Sequence, residues 1–283
     1  MILLKKVADL HKYLDIQRKI GMEIGFVPTM GALHQGHISL IQEARLHNSL
    51  VVCSIFVNPA QFNNPEDFRK YPATIDKDID LLENAGCDVL FYPSVEEVYP
   101  DPNETSHYNL GYLETIMEGK FRPGHFQGVC KVVHKLLNMV MPDNLYIGQK
   151  DYQQCLVIKR LLELIGMKGQ VSLHISPTKR ENDGLAMSSR NIRLDEQQRK
   201  IAPGIYQTLN LIRKEIKPGK LEFLKQKGMD QLIKKGFRPE YVEIVHASNL
   251  QPINQLYSNS DKLVVLTAAF LGDIRLIDNL LIN

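Results

Sequence analysis

The chain lacks any run of about 18 apolar residues, the length a helix needs to cross a bilayer, so no membrane-spanning segment is expected. It also lacks an excess of charge of either sign: 34 basic residues stand against 32 acidic ones, a formal net charge of +2. No strong field is available to hold nucleic acid or a lipid surface, and neither is expected as a partner. Anionic small substrates would have to be met by local basic groups. Cysteine is scarce. Cys53, Cys87, Cys130 and Cys155 are far apart, each in an apolar neighbourhood, with no C-x-x-C pair. They read as reduced, buried thiols of a cytosolic protein. The first six residues, a short apolar run and then two lysines, do not resemble a leader, which fits a cytoplasmic location. No internal repeat or low-complexity tract stands out.

What is present is ordinary globular usage, 44% hydrophobic and 23% charged, over 283 residues. That is enough chain for two domains and for a core with a deep site cut into it. Apolar periodicity predicts an opening helix over 7–20, then a buried strand over 24–27 stopped by Pro28. A helix from about 37 to 46 and a continuous apolar strand over 50–57 follow. Thr74 reads as the N-cap of a helix through Ala85, with Asp76 and Asp78 in its first turn. Further strands are expected over 89–91, 145–147 and 171–175, and helices over 129–139 and 152–164.

Strand and helix thus alternate at βαβ spacing. This predicts an α/β fold, a doubly wound, Rossmann-like parallel sheet over 1–176. After Pro177 a polar stretch leads to helical segments over 195–216 and 221–235. Strands are expected at 241–246, 263–268 and 274–277. Residues 177–283 read as a smaller α+β domain hinged near residue 177. Ligands of doubly wound sheets bind beyond the carboxyl ends of the strands, and five constellations stand at such places or in the hinge.

The first joins a strand to a helix: Pro28-Thr29-Met30-Gly31-Ala32-Leu33-His34-Gln35-Gly36-His37. Gly31 and Gly36 permit close backbone approach, and two imidazoles near a helix start can donate to phosphate oxygens. A histidine that merely caps the helix is the bland alternative, and a zinc site fits poorly because no third ligand is near. The second is Phe56-Val57-Asn58-Pro59-Ala60-Gln61-Phe62. Its neutral amides, Asn58 and Gln61, can grip a carboxylate without neutralising it; a structural Asn-Pro turn is the alternative. The third, Phe121-Arg122-Pro123-Gly124-His125-Phe126-Gln127-Gly128-Val129, reads equally as a loop packed near a ligand or over a cleft, or as an ordered surface loop. In the fourth, Gly148-Gln149-Lys150-Asp151-Tyr152-Gln153-Gln154, Lys150 can contact phosphate, Asp151 can cap the helix or accept from a hydroxyl, and Gln154 lies one turn on. The fifth runs from Lys179 to Asn191 and holds Met187-Ser188-Ser189-Arg190. Its hydroxyls and guanidinium suit a triphosphate, and the segment could close over ATP; a capped helix start is the alternative.

Taken in order, these motifs are more specific. The first resembles the H-x-G-H signature of the nucleotidyltransferase superfamily that includes class I aminoacyl-tRNA synthetases, and Met187 to Arg190 resembles its second phosphate loop. P-T-M-G-A-L-H-x-G-H, F-V-N-P-x-Q-F, R-P-G-H-F-x-G-V, G-Q-K-D-x-Q-Q and D-G-L-A-M-S-S-R-N together resemble the pantothenate synthetase family. The likeness continues through Leu271 to Asn279 and covers essentially the whole chain. It implies an ATP-dependent ligase that joins pantoate to β-alanine through pantoyl-adenylate, releasing AMP and pyrophosphate.

The resemblance also implies site roles. Met30, Gly31, Ala32, Leu33, His34, Gln35, Gly36 and His37 would hold ATP, with His37 the proton donor and His34, Lys150 and Arg190 beside it in catalysis. Gly148, Gln149, Lys150 and Asp151 would bind the nucleotide, Lys179 would meet adenine through backbone groups, and Met187, Ser188, Ser189 and Arg190 the phosphates. Gln61, with Asn58 beside it and Gln154, would bind pantoate, and Gln61 later β-alanine. A homodimer through the N-terminal domain is implied, with Mg2+ riding mainly on ATP oxygens; no protein metal cage is read, and Asp78 is a partial candidate ligand. Ala73 departs from an arginine common in the family. Three readings compete: a nucleotidyltransferase with a phosphorylated acceptor, which the amide pair argues against; a tRNA synthetase, which would need a basic RNA-binding appendage; and a silent nucleotide sensor, which could dispense with the amides and histidines.

Overall fold

The computed structural model describes residues 1–62, 65–101, 104–253 and 261–282. The chain divides into two compact units, Met1–Gln149 with Val157–Pro177, and Lys150–Leu156 with Thr178–Asn283. In chain order the first holds β1 (Ile2–Leu4), α1 (Val7–Lys19), β2 (Ile24–Thr29), α2 (Gln35–His47), β3 (Leu50–Ile55), a 3-10 turn (Pro59–Gln61), α3 (Pro65–Arg69), α4 (Ile75–Asn84) and β4 (Val89–Phe91). It continues with α5 (Val95–Val98), a second 3-10 turn (Gly111–Glu114), α6 (Met117–Phe121), α7 (His125–Val140), β5 (Asn144–Gly148), the later part of α8 (Tyr152–Leu164), and β6 (Ser172–Ser176).

These strands form one parallel sheet in the order β1-β4-β3-β2-β5-β6. β3 is buried along its whole length, as its unbroken apolar run requires. On one face Val27, Val51, Cys53, Leu90 and Tyr146 pack with Leu40, Ile41 and Ala44 of α2 and Leu82 of α4. α7 carries an apolar stripe from Phe126 to Val140 and meets both α1 and β2. The strand order reverses between β2 and β5. These two pair only at Gly25↔Asn144 and Phe26↔Leu145 and are not paired beyond, so their carboxyl ends part. This is where a doubly wound sheet opens a crevice.

β2 runs through Pro28 to Thr29 rather than stopping at Val27. Thr29 O accepts from Phe56 N on the β3 side, so Pro28 faces β5, where the ladder has already ended and no N–H is needed. β1, unread in the sequence, pairs with β4 at the edge. α7 starts at His125, four residues earlier than expected, with Gly124 left-handed (φ 79°) before it. Thr74 does precede α4, but its hydroxyl makes no cap; it donates to the Asp78 carboxylate (3.1 Å).

The second unit contains α9 (Glu196–Ile201), α10 (Gly204–Glu215) and α11 (Leu221–Lys234) with the antiparallel sheet β7 (Arg238–His246), β8 (Leu263–Leu271), β9 (Ile274–Ile282), in that order. The single helical segment expected over 195–216 is two helices. Pro203, without an N–H, breaks the ladder between them. All three strands are longer than their apolar stretches suggested, because antiparallel pairing carries the ladder past the buried residues. A two-residue turn at Gly272 (φ 59°) and Asp273 closes the β8–β9 hairpin.

All four cysteines are buried free thiols. Burial pushes Cys87 and Cys130 up to about 12, and Cys53 and Cys155 upward too. Folded protein at about pH 8 should therefore leave all four unmodified by a thiol-specific chromogenic disulfide, and denatured protein should titrate four. Fast reaction of any one in the native state would contradict the packing.

Candidate active site

The loop after β2 is set by one carboxylate. Gly31 (φ 80°) and Ala32 (φ 49°) are both left-handed, a conformation that costs a non-glycine residue roughly 1–2 kcal/mol. The buried Asp78 holds it there: Oδ2 accepts from Ala32 N (2.9 Å) and Oδ1 from Leu33 N (2.8 Å). Thr29 Oγ1 accepts from Gly31 N (3.3 Å) and donates to Ser54 O (2.8 Å). A side chain at Gly31 would meet Asp78 Oδ2 at 3.2 Å.

This loop delivers two histidines to the start of α2. His34 is the N-cap: its Nδ1 accepts from Gly36 N (3.1 Å), while His37 Nδ1 accepts from His34 N (3.3 Å). The rings lie 4.1 Å apart. A nitrogen that accepts cannot carry the proton, so each neutral ring has its hydrogen on Nε2. Capping and anion recognition are thus compatible in one residue. The backbone N–H groups of Gly36 and His37 are engaged within the helix start. What this helix end adds for an anion is therefore its dipole and the imidazole N–H groups more than bare backbone donors. Gln35 opens the helix exposed to solvent.

Asn58 and Gln61 flank the 3-10 turn after β3. Asn58 is fully buried. Its Oδ1 accepts from Ala60 N (3.2 Å) and from the Tyr99 hydroxyl (2.8 Å); its Nδ2 donates to Gly128 O (3.1 Å) and Gln61 Oε1 (3.3 Å). Gln61 Nε2 packs onto Met30 Sδ, which brings the second constellation to the first. The third constellation is only in part a loop: Arg122 to Gly124 form a turn, and from His125 onward it is the first turn of α7, docked on the Asn58–Gln61 turn. His125 Nδ1 contacts Gln61 O (2.8 Å), and a carbonyl only accepts, so this nitrogen carries the hydrogen. Arg122 donates to Nε2 (3.0 Å) and lies 3.6 Å from Glu118. At Gly128 a Cβ would lie 2.1 Å from Ala60 O and 2.7 Å from Gln61 Cα, which explains the glycine inside a helix.

Within the second unit, Lys150 and Asp151 lie in a 3-10 turn (Gln149–Asp151) ahead of α8, 3.7 Å apart. Gln154 is half-buried one turn on. Gly148 ends β5 and Gln149 opens the 3-10 turn, both in the first unit. Ser188 caps the 3-10 turn Ser189–Arg193, its Oγ accepting from Arg190 N (3.3 Å); Ser189 is buried. Met187 N donates to Lys179 O (3.0 Å), closing the segment on itself. Two residues of β9 tie these pieces together. Arg180 forks onto buried Asp278 (2.7 and 2.9 Å), and Asn279 Nδ2 donates to Lys150 O (2.8 Å). Tyr206 stacks under Arg180, its centroid 3.9 Å from the guanidinium carbon.

Sequence reasoning passed over Tyr99, Arg180 and the true office of Asp78. Two left-handed residues in a row were the only local sign that a buried acceptor was needed, and φ is not visible in a sequence. Asp78 does not suit metal ligation, because both oxygens are engaged by backbone N–H groups. Among the described residues no three His, Cys, Asp or Glu side chains cluster as a metal cage, and no helix is long and apolar enough to cross a membrane.

A parallel sheet parted at its reversal point, with a histidine-bearing loop on one of the parted strands, places the chain in the Rossmann-like α/β class, whose ligands bind at that crevice. The comparisons narrow this. The family model for pantoate-beta-alanine ligase matches residues 2–281. The pantothenate synthetase of Cytophaga hutchinsonii is 45% identical over 286 residues, covering 100% of this chain and 99% of that one. That of Pseudomonas fluorescens is 48% identical, covering 99% and 97%. A pantothenate synthetase structure from Thermus thermophilus superposes with a TM-score of 0.90 at 40% identity, covering 99% of both chains. The Francisella tularensis pantoate-beta-alanine ligase, solved with β-γ ATP and β-alanine, gives 0.83 at 39%, covering 99% of this chain and 97% of that one. The chain belongs to the pantoate–β-alanine ligase family.

Gly128→Ala should force α7 off the Asn58–Gln61 turn, because the obstructing atoms are backbone and cannot swing aside. The expected cost is about 1–3 kcal/mol, read as a fall of several degrees in Tm. An unchanged Tm would contradict the close contact.

Proposed function

We propose that this chain joins pantoate to β-alanine with ATP, through a pantoyl-adenylate. The observation that carries the reading is the imidazole pair His34 and His37, fixed in tautomer at the start of α2, in a chain matched to the family over residues 2–281. In the first step a pantoate carboxylate oxygen attacks the α-phosphorus, and the bond to pyrophosphate breaks. The carboxylate is already ionised near neutral pH, so no base is needed. Two anions must approach, and cationic or N–H groups offset their repulsion. His34 and His37 donate hydrogen bonds from Nε2, with His37 directed at the departing pyrophosphate. Lys150 and Arg190 supply positive charge, and the Ser188 and Ser189 hydroxyls meet phosphate oxygens.

Met30, Gly31, Ala32, Leu33, Gln35 and Gly36 shape the nucleotide loop. Gly148, Gln149, Asp151 and the Lys179 backbone serve the nucleotide as well. Gln61 and Gln154 bind pantoate, and Asn58, being wholly buried, acts through Gln61 instead of touching substrate. Mg2+ enters with ATP as part of the substrate. In the second step the neutral amine of β-alanine attacks the acyl carbon and the bond to AMP breaks; the amine proton passes to the departing phosphate or to solvent. Water must be kept from the adenylate, a task suited to the segment 178–191. We take the working form to be a cytoplasmic homodimer, in keeping with family membership and four protected thiols.

The test is pantoate-dependent exchange of labelled pyrophosphate into ATP, with Mg2+ and without β-alanine. Exchange is expected only when pantoate is added, and His37→Ala should slow it by roughly 10²–10³ with the fold intact. Exchange that ignores pantoate, or near-normal turnover in His37→Ala, would sink the proposal.

A further inference from the structure

The hydrogen bonds around Asn58 have a direction, and that direction ends at Gln61. Ala60 N can only donate and Gly128 O can only accept. Between them they fix the Asn58 amide with Oδ1 toward Ala60 and Nδ2 toward Gly128. Two consequences follow at the remaining positions. The Tyr99 hydroxyl, 2.8 Å from Oδ1, must be the donor. Gln61 Oε1, 3.3 Å from Nδ2, must be the acceptor. The Gln61 carboxamide is therefore held in one of its two flips, with its NH2 end turned toward Met30.

We infer that Tyr99 is a positioning residue for the acid substrate: by donating to Asn58 Oδ1 it strengthens the hydrogen bond with which the Asn58 amide, already oriented by Ala60 and Gly128, holds Gln61 as a donor matched to a carboxylate. The inference rests on the proposed role of Gln61. A flipped Gln61 would aim a carbonyl oxygen at that carboxylate and repel it. Tyr99 acts at two removes from the substrate. A donor on Oδ1 draws electron density from the amide and strengthens the hydrogen bond that Nδ2 donates to Gln61 Oε1, as linked hydrogen bonds do.

The ring of Tyr99 is braced for this task. It stands 6.1 Å from Phe56, and the ammonium groups of Lys131 and Lys135 lie 5.3 and 5.6 Å from its centroid. Lys131 is itself held by Glu104 O (2.7 Å). Burial first, then Tyr108 and Glu104, push the phenol well above its ordinary range, so it keeps the proton it donates.

Tyr99→Phe removes this donor and little else. In the pyrophosphate exchange assay, kcat/KM for pantoate should fall about 10-fold while KM for ATP stays within about twofold, the scale of one hydrogen bond. In a Gln61→Ala background the same change should do nothing further, because the two residues act as a unit. Unchanged pantoate kinetics, an equal loss for pantoate and ATP, or independent effects of the two substitutions would each overturn the inference. A second readout does not depend on turnover. The side-chain 15N–1H pair of Gln61, identified by its loss in Gln61→Ala, should shift in Tyr99→Phe; an unmoved pair would overturn the relay. Were wild-type protein to show no pantoate-dependent exchange, the functional reading would fall, and the resonance would still decide whether the relay exists.

Discussion

The histidine loop depends on one buried carboxylate whose partners include the loop's own backbone N–H groups. Asp78 accepts two successive backbone N–H groups, from Ala32 and Leu33, and so holds a left-handed turn that alanine would not adopt unaided. The turn decides where α2 begins, which makes His34 an N-cap and places His37 one turn on. The caps then decide which ring nitrogen bears hydrogen. A chain of purely structural bonds thus sets the polarity of the two groups proposed to meet the nucleotide phosphates. The cost of the strained backbone is met inside the fold, before any substrate arrives, which is the physical content of preorganisation.

The same logic governs the amide turn. Asn58 and Gln61 could each present oxygen or nitrogen, and a flexible pair would waste half its orientations. Backbone groups of Ala60 and Gly128 remove the ambiguity, and the start of α7 presses on the turn through His125. In the second unit, Asp278 and Asn279 on β9 do comparable work, anchoring Arg180 and the Lys150 carbonyl. In each unit the residues proposed to meet substrate lie at a strand end, on turns or in the first turn of a helix, and the residues that orient them lie on or beside strands and helices.

Much of this was legible in sequence. Continuous apolar runs such as the one that holds Leu50–Ile55 identify strands covered on both faces, and glycine and histidine directly after a strand mark the loop that leads into α2. What was hidden followed from distance along the chain. Asp78 lies more than forty residues from the loop it holds, and its sequence context reads as the acidic first turn of a helix. Gly124 and Gly128 suggested a loop because the contact that requires a glycine within α7, with Ala60, is remote in sequence. Thr74 looked like a cap because its competing partner is a buried carboxylate one turn ahead. Pairing in β7, β8 and β9 ran past their apolar cores, since ladder length depends on the neighbour as well as on the strand.

The most direct test is Asp78→Asn, an isosteric change that turns one acceptor into a donor facing a backbone N–H. Pantoate-dependent pyrophosphate exchange would be measured alongside circular dichroism and Tm. The account predicts a folded protein whose exchange has fallen by about 10²-fold, the loss expected when catalytic groups are displaced by roughly 1 Å. Exchange within about threefold of wild type, in a folded variant, would show that the two histidines hold their places without the carboxylate and would contradict the account.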